Sequence, residues 1–110
     1  MTGSVRIVGA GGFTASPPGT THWVEHLRSA NLSVGTYSVG AGGTDDQVPH
    51  SEDEVYVVTA GRAGLWTPSG AIELESGDAV FVPARQPHRF VDVSEDFAVL
   101  VVFAPPESGP

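Results

Sequence analysis

Short stretches of β-branched, aromatic and alternating apolar residues recur along the chain, each bounded by glycine, proline, serine or aspartate. That pattern reads as strands joined by turns. Expected strands are Ser4 to Val8, Leu32 to Val39, Val55 to Ala60, Ala71 to Leu74, Ala79 to Val82, His88 to Val91 and Phe97 to Phe103. Between them, Gly9 to Gly19 reads as a loop, Gly40 to Asp46 as a turn, and Gly61 and Gly64 as brackets of a tight connection. Pro68-Ser69-Gly70 reads as a hairpin turn and Glu75 to Asp78 as a second, with Gly77 at a positive φ. Thr21 to Leu27 is open. As a helix it would place His22 and His26 on one face, a conceivable two-histidine metal site. As a surface segment it would pack through Trp23 and Leu27.

Strands returning every eight to twelve residues or so favour a sandwich or barrel, an all-β fold. A small barrel has no unprotected edges and an interior able to hold a ligand or metal. The 110 residues suffice for one domain, with an N-terminal arm over about residues 1–30 and a frayed tail at 105–110.

Phe97 to Phe103 is apolar on both faces, with Phe97, Val99, Val101 and Phe103 on one and Ala98, Leu100 and Val102 on the other. One face can line the barrel. The other calls for a cover, either a second copy in a homodimer or the N-terminal segment around Ile7, Trp23 and Leu27.

Composition narrows the chemistry. Thirteen acidic against five basic residues give a net charge of −8, with no basic patch, so nucleic acid and anionic membranes are poor partners. The absence of cysteine removes disulfides and thiolate metal sites, leaving His, Asp, Glu and Gln as ligands. The N-terminus has no signal-like apolar run and no segment is long enough to span a bilayer, so a cytoplasmic protein is expected.

Two spaced motifs organise the chain. Gly42, five residues, Val48-Pro49-His50, three residues, Glu54, six residues and Gly61 follow the pattern G-x5-H-x-H-x3-E-x6-G. Gly77, five residues, Pro83-Ala84-Arg85, two residues, His88, three residues and Asp92 follow G-x5-P-x-G-x2-H-x3-N. The chain thereby resembles a small single-domain cupin over roughly half its length. The departures are Val48 for the first histidine, Arg85 for a glycine and Asp92 for an asparagine.

The resemblance implies a double-stranded β-helix, or jelly roll, holding one divalent metal (Fe, Mn, Zn or Ni) through His50, Glu54 and His88. Imidazole and carboxylate suit first-row transition metals, and two histidines with one carboxylate leave coordination positions open. A bulge at Val48-Pro49 would swing the Gln47 amide oxygen into the vacant position; otherwise, Val48→His would complete the set and tighten binding. Glu54 opens an apolar strand, where a metal would supply its counter-charge.

Alternation then places Tyr56 beside Glu54 and Phe90 beside His88, with Tyr37 on the neighbouring strand. Each is a pocket wall or plain core. Arg85 meets a substrate carboxylate at the mouth or is a solvated loop residue. The corresponding activity is that of a mononuclear metal enzyme on a small organic substrate, an oxygenase or a non-redox isomerase, lyase or cyclase. The alternative is a non-catalytic ligand-binding or metal-depleted cupin.

Overall fold

In the computed structural model, which describes residues 3–14, 19–45 and 47–108, the period-two segments form eight strands in two facing antiparallel sheets. They are β1 (Thr21–Arg28), β2 (Ser33–Val39), β3 (Asp53–Ala60), β4 (Arg62–Thr67), β5 (Gly70–Glu75), β6 (Ala79–Val82), β7 (Arg89–Val91) and β8 (Phe97–Ala104). The larger sheet runs β1-β2-β8-β3-β6 and the smaller β5-β4-β7. The described residues contain no helix, hence none long and apolar enough to cross a membrane.

Alternation decides what enters the space between the sheets. From β8 come Phe97, Val99, Val101 and Phe103; β3 adds Tyr56 and Val58, and β4 and β7 add Leu65 and Phe90. Each is almost fully buried, and fully burying such a side chain contributes roughly 1.5–3 kcal/mol. Glu54, His88 and Asp45 are buried among them, and buried charges require partners.

The expected strand over residues 4–8 does not form; Val5 and Val8 are exposed. Two hydrophobic residues without an adjacent strand gain nothing from an extended conformation. Instead the arm is pinned farther on. Gly11 N donates to Thr36 Oγ1 at 2.8 Å and Thr14 N to Ser38 Oγ at 3.1 Å, while the Thr59 hydroxyl donates to Gly11 O. This lays residues 11–14 across the outer face of the larger sheet.

The open segment resolves as edge strand β1, so the independent arm ends near residue 20 rather than 30. A bulge between Glu25 and Leu27 breaks its register. His26 Nε2 pairs with Thr36 Oγ1 at 2.6 Å, and no metal-ligating group containing His22 or His26 occurs among the described residues.

Gly61 does mark a connection, at φ 78°, where an added Cβ would stand 2.2 Å from Asp96 O. Gly64, in contrast, lies inside β4 opposite Val91. The turn at Gly77 has the expected positive φ, 98°. Residues 105–108 are tied down rather than frayed: Glu107 N donates to Ser33 Oγ at 3.0 Å, Arg28 Nη2 donates to Glu107 O at 2.7 Å, and the Ser108 hydroxyl donates to Glu52 at 2.6 Å. Residues 15–18 of the expected loop, Asp46 of the expected turn, and residues 1–2 and 109–110 lie outside the described set.

Two departures from the motif patterns fall on left-handed backbone, Arg85 at φ 66° and Asp92 at φ 53°. Glycine adopts this region freely and asparagine more readily than most residues, which accounts for the residue types usual at those places. Arg85→Gly is therefore expected to stabilise the fold by about 0.5–1 kcal/mol, the left-handed penalty less the entropy cost of glycine. Urea unfolding checks this: the midpoint should rise at constant slope, and a fall would show that the arginine side chain holds a contact worth more than its strain.

Candidate metal centre

Three local segments aim polar groups into one end of the barrel. Glu54 points inward because it shares the face of Tyr56 and Val58 on β3, paired with Val82 on one side and Phe103 on the other. His88 enters from the residue before β7, and His50 from the loop before β3. That loop and the Pro83–His88 loop are joined by Arg85 N donating to His50 O at 2.6 Å. One ligand atom from each of His50, Glu54 and His88 lies within 4.8 Å of the others.

Hydrogen bonds determine which atoms face inward. His88 Nδ1 lies 2.8 Å from Gln86 O, and since a carbonyl only accepts, Nδ1 carries the hydrogen. Nε2 of the neutral ring is then a bare acceptor, 3.0 Å from Glu54 Oε1. With the ring in that form neither Glu54 oxygen has a hydrogen-bond partner, whereas a proton on Nε2 would be donated to Oε1. Gln47 Nε2 donates to Asp45 Oδ2 at 2.7 Å, which directs Oε1 at the site, 3.3 Å from His50 Nε2. Three acceptors thus converge, the His88 Nε2, a carboxylate and an amide oxygen; His50 Nε2 joins them as a fourth in the tautomer whose hydrogen sits on Nδ1, 3.4 Å from Glu107 Oε2.

The Tyr56 hydroxyl is the donor among them, 3.0 Å from His88 Nε2 and 3.3 Å from Gln47 Oε1. Its single hydrogen serves one of these at a time. A cation is what such a set lacks, and the donor types fit a first-row divalent ion.

The electrostatics agree. Burial opposes charge on His88, yet the Glu54 carboxylate, the Gln86 carbonyl and the charge of Asp45 together raise its pKa above the ordinary histidine value. In the absence of metal a proton thus takes the cation's place. Burial, then the Glu54 charge, pushes Tyr56 well above the usual phenol range, so it stays a neutral donor. Burial likewise raises Glu107, with His50 Nδ1 3.4 Å away pulling the other way. Burial works to raise Glu52 too, but the Ser108 and Ser51 hydroxyls leave it below the usual carboxylate range.

A cavity of about 120 Å³ opens onto this end. Its polar wall is Gln47, His50 and Glu107; Trp23, Tyr37, Tyr56, Val101 and Phe103 form the rest. Of the residues expected from the sequence, His50, Gln47, Tyr37 and Tyr56 line it, with Glu54 and His88 buried behind. Phe90 belongs to the core, packed against Tyr37, Tyr56 and Phe97. Arg85 has an exposed side chain outside the lining; its backbone contributes instead. Val48 is 72% exposed, so a histidine there would point to solvent.

Three residues were missed in the sequence. Asp45 accepts from Tyr37 OH (2.7 Å), Gln47 N (3.3 Å), Gln47 Nε2 and Phe90 N (2.8 Å), and so orients the Gln47 amide. The sequence reads its position only as part of a turn. Glu107 sits in a proline-rich stretch that reads as a tail, and Trp23 in the segment left open. A larger surface groove of about 590 Å³, with Glu73, Glu75, Asp78 and Asp92 in its walls, lies away from these ligands.

Known proteins show the same architecture. Residues 33–103 match the cupin domain family. An uncharacterized protein of Streptomyces coelicolor is 48% identical over 86 residues, 78% of this chain and 82% of its own. A cupin superfamily protein from Desulfitobacterium hafniense superposes with a TM-score of 0.72 at 17% identity, covering 83% of each chain. The DMSP lyase DddQ from Ruegeria pomeroyi superposes at 0.71 and 23% identity, covering 76% of this chain and 46% of that one. With the motif residues gathered at one end of a two-sheet barrel and the family match spanning most of the strands, the chain belongs to the cupin family.

Proposed function

We propose that this cupin is a mononuclear metal-dependent enzyme acting on a small organic substrate. The observation that carries the reading is the buried Glu54 carboxylate, 3.0 Å from His88 Nε2 and grouped with His50 and His88 so that one ligand atom of each lies within 4.8 Å of the others. His50, Glu54 and His88 would hold the ion, with Gln47 as fourth ligand through Oε1. When bound, the ion supplies Lewis acidity toward substrate oxygens, or redox chemistry if it is iron.

This chain's own residues do the rest. Asp45 holds the Gln47 amide in its inward orientation. The neutral Tyr56 hydroxyl offers a proton beside the ligands, and the aromatic wall excludes water from them. The structural likeness to a DMSP lyase indicates that such barrels carry enzymes, without naming the reaction here.

Metal analysis of variants tests the ligand set. His88→Ala should lose stoichiometric metal, and unchanged content would overturn the assignment. Gln47→Leu should weaken metal affinity by roughly 10-fold or more, a loss typical of altered metal surroundings. Val48→His should change it little, since that side chain points away.

The raised His88 pKa sets a sign for pH. In the metal-free protein, its stabilising contribution is present in full below the ordinary value of 6.5 and is lost as pH rises through the raised folded value. Metal binding needs the unprotonated ring and follows the opposite course. The gap in melting temperature between metal-loaded and chelator-treated protein should therefore widen as pH rises. A gap that narrows would argue against histidine ligation.

We further propose that two copies pair through the outer face of the larger sheet. Residues 11–14 reach only part of it. Val34, Val55, Val57, Leu100 and Val102 remain half-buried there, beside the 59% exposed Phe81. Light scattering should give twice the 11.4 kDa chain mass, and Phe81→Lys should shift it toward the single chain. Single-chain mass for the unaltered protein at micromolar concentration would refute the pairing.

A further inference from the structure

Beyond the metal, the cavity has a charge and shape of its own. No lysine or arginine lines it. If a divalent ion occupies the proposed centre, the Asp45 and Glu54 carboxylates balance its charge, which leaves the Glu107 carboxylate at the mouth. The nearby guanidinium, Arg28, is committed elsewhere: it forms a 2.7 Å ion pair with Glu25 and donates to the Glu107 carbonyl, not to its carboxylate. Arg28 thus answers the charges of Glu25, Glu107 and Glu52 together.

The apolar wall is aromatic. Trp23 meets Phe103 edge to face at 6.0 Å, and Tyr37 and Tyr56 flank the polar wall. Gly35 makes the Trp23 placement possible. An added Cβ there would stand 2.2 Å from Trp23 Cη2 and 2.6 Å from Val24 O, so the indole lies directly against the backbone. The volume, about 120 Å³, equals about four waters of bulk liquid, room for a tetrahedral head group but not for a large ring system. Aromatic faces beside an unbalanced carboxylate attract organic cations.

We infer that the cavity receives a small organic cation, an alkylated ammonium head group, held by Trp23, Tyr37, Tyr56 and Glu107 next to the metal. The inference rests on the metal-centre reading for its charge balance. A substrate of this class would present the cation to the aromatic wall and an oxygen function to the ion.

The two tryptophans, Trp23 and Trp66, provide the test. In Zn²⁺-loaded, ¹⁵N-labelled protein, the Trp23 indole N–H resonance is followed during titration with tetramethylammonium and, separately, with neutral tert-butanol. Trp66, on the other sheet beside Arg89, is the internal control. Tetramethylammonium should shift Trp23 saturably, with an affinity roughly 10-fold above that of tert-butanol, and leave Trp66 unmoved. Glu107→Gln should remove most of that preference. Trp23→Leu should weaken tetramethylammonium binding, read on the Tyr37 ring signals.

Equal affinity for the two probes, or parallel shifts of both indoles, would overturn the inference. Metal content is measured on the same samples. Retained metal without a cation preference sinks the cation alone; a cation preference without metal sinks the metal centre and leaves the cation standing.

Discussion

The structure depends on a buried carboxylate. Glu54 lies in the barrel with 2% of its surface exposed, between Val82 and Phe103 on the neighbouring strands, and its Oε1 faces His88 Nε2 at 3.0 Å. Isolated burial of an ionised carboxylate is among the costliest events in folding. An ionised carboxylate there needs a positive charge held against it, and the groups around it are arranged for that. His88 turns its protonated nitrogen away to the Gln86 carbonyl and presents the bare one. Gln47 turns its amide nitrogen away to Asp45 and presents oxygen. Each side chain's outward hydrogen bond determines its inward chemistry, as expected for groups that orient metal ligands.

That constraint extends into the surrounding loops. Asp45 accepts four hydrogen bonds and joins the loop before β3 to β2 through Tyr37 and to β7 through Phe90. Arg85, in a strained left-handed conformation, binds the His50 carbonyl and so couples the two motif loops. Residues 105–108 close the same end through Ser33, Arg28 and Glu52. Three loops far apart in sequence are thereby held over one opening, and the rigid strands beneath them set its width.

Much of this was legible from residue order. Strands β3, β6, β7 and β8 were readable within one or two residues, because β-branched runs bounded by glycine and proline have few other solutions. The His50, Glu54 and His88 spacing indicated a common site before any coordinates, since in a two-sheet barrel the starts of β3 and β7 lie at the same end. The alternation Glu54, Tyr56, Val58 correctly identified the inward face, as period two leaves only two choices.

Tertiary structure alone decided what the loops do. A strand carries its pattern in its own sequence, whereas a loop side chain's environment is set by residues many positions away. Asp45 meets Phe90 across 45 positions, and Glu107 meets His50 across more than fifty. No local pattern encodes those contacts, so Asp45 read only as part of a turn and Glu107 as part of a frayed tail. The same holds for Trp23, whose place in the cavity requires a glycine on the adjacent strand, and for Arg85, where only backbone geometry shows that the main chain, not the guanidinium, serves the site. The sequence determined the fold, the inward faces and the grouping of three side chains able to hold a metal; the packing of distant loops determined the orientation of Gln47 and the charge and shape of the cavity.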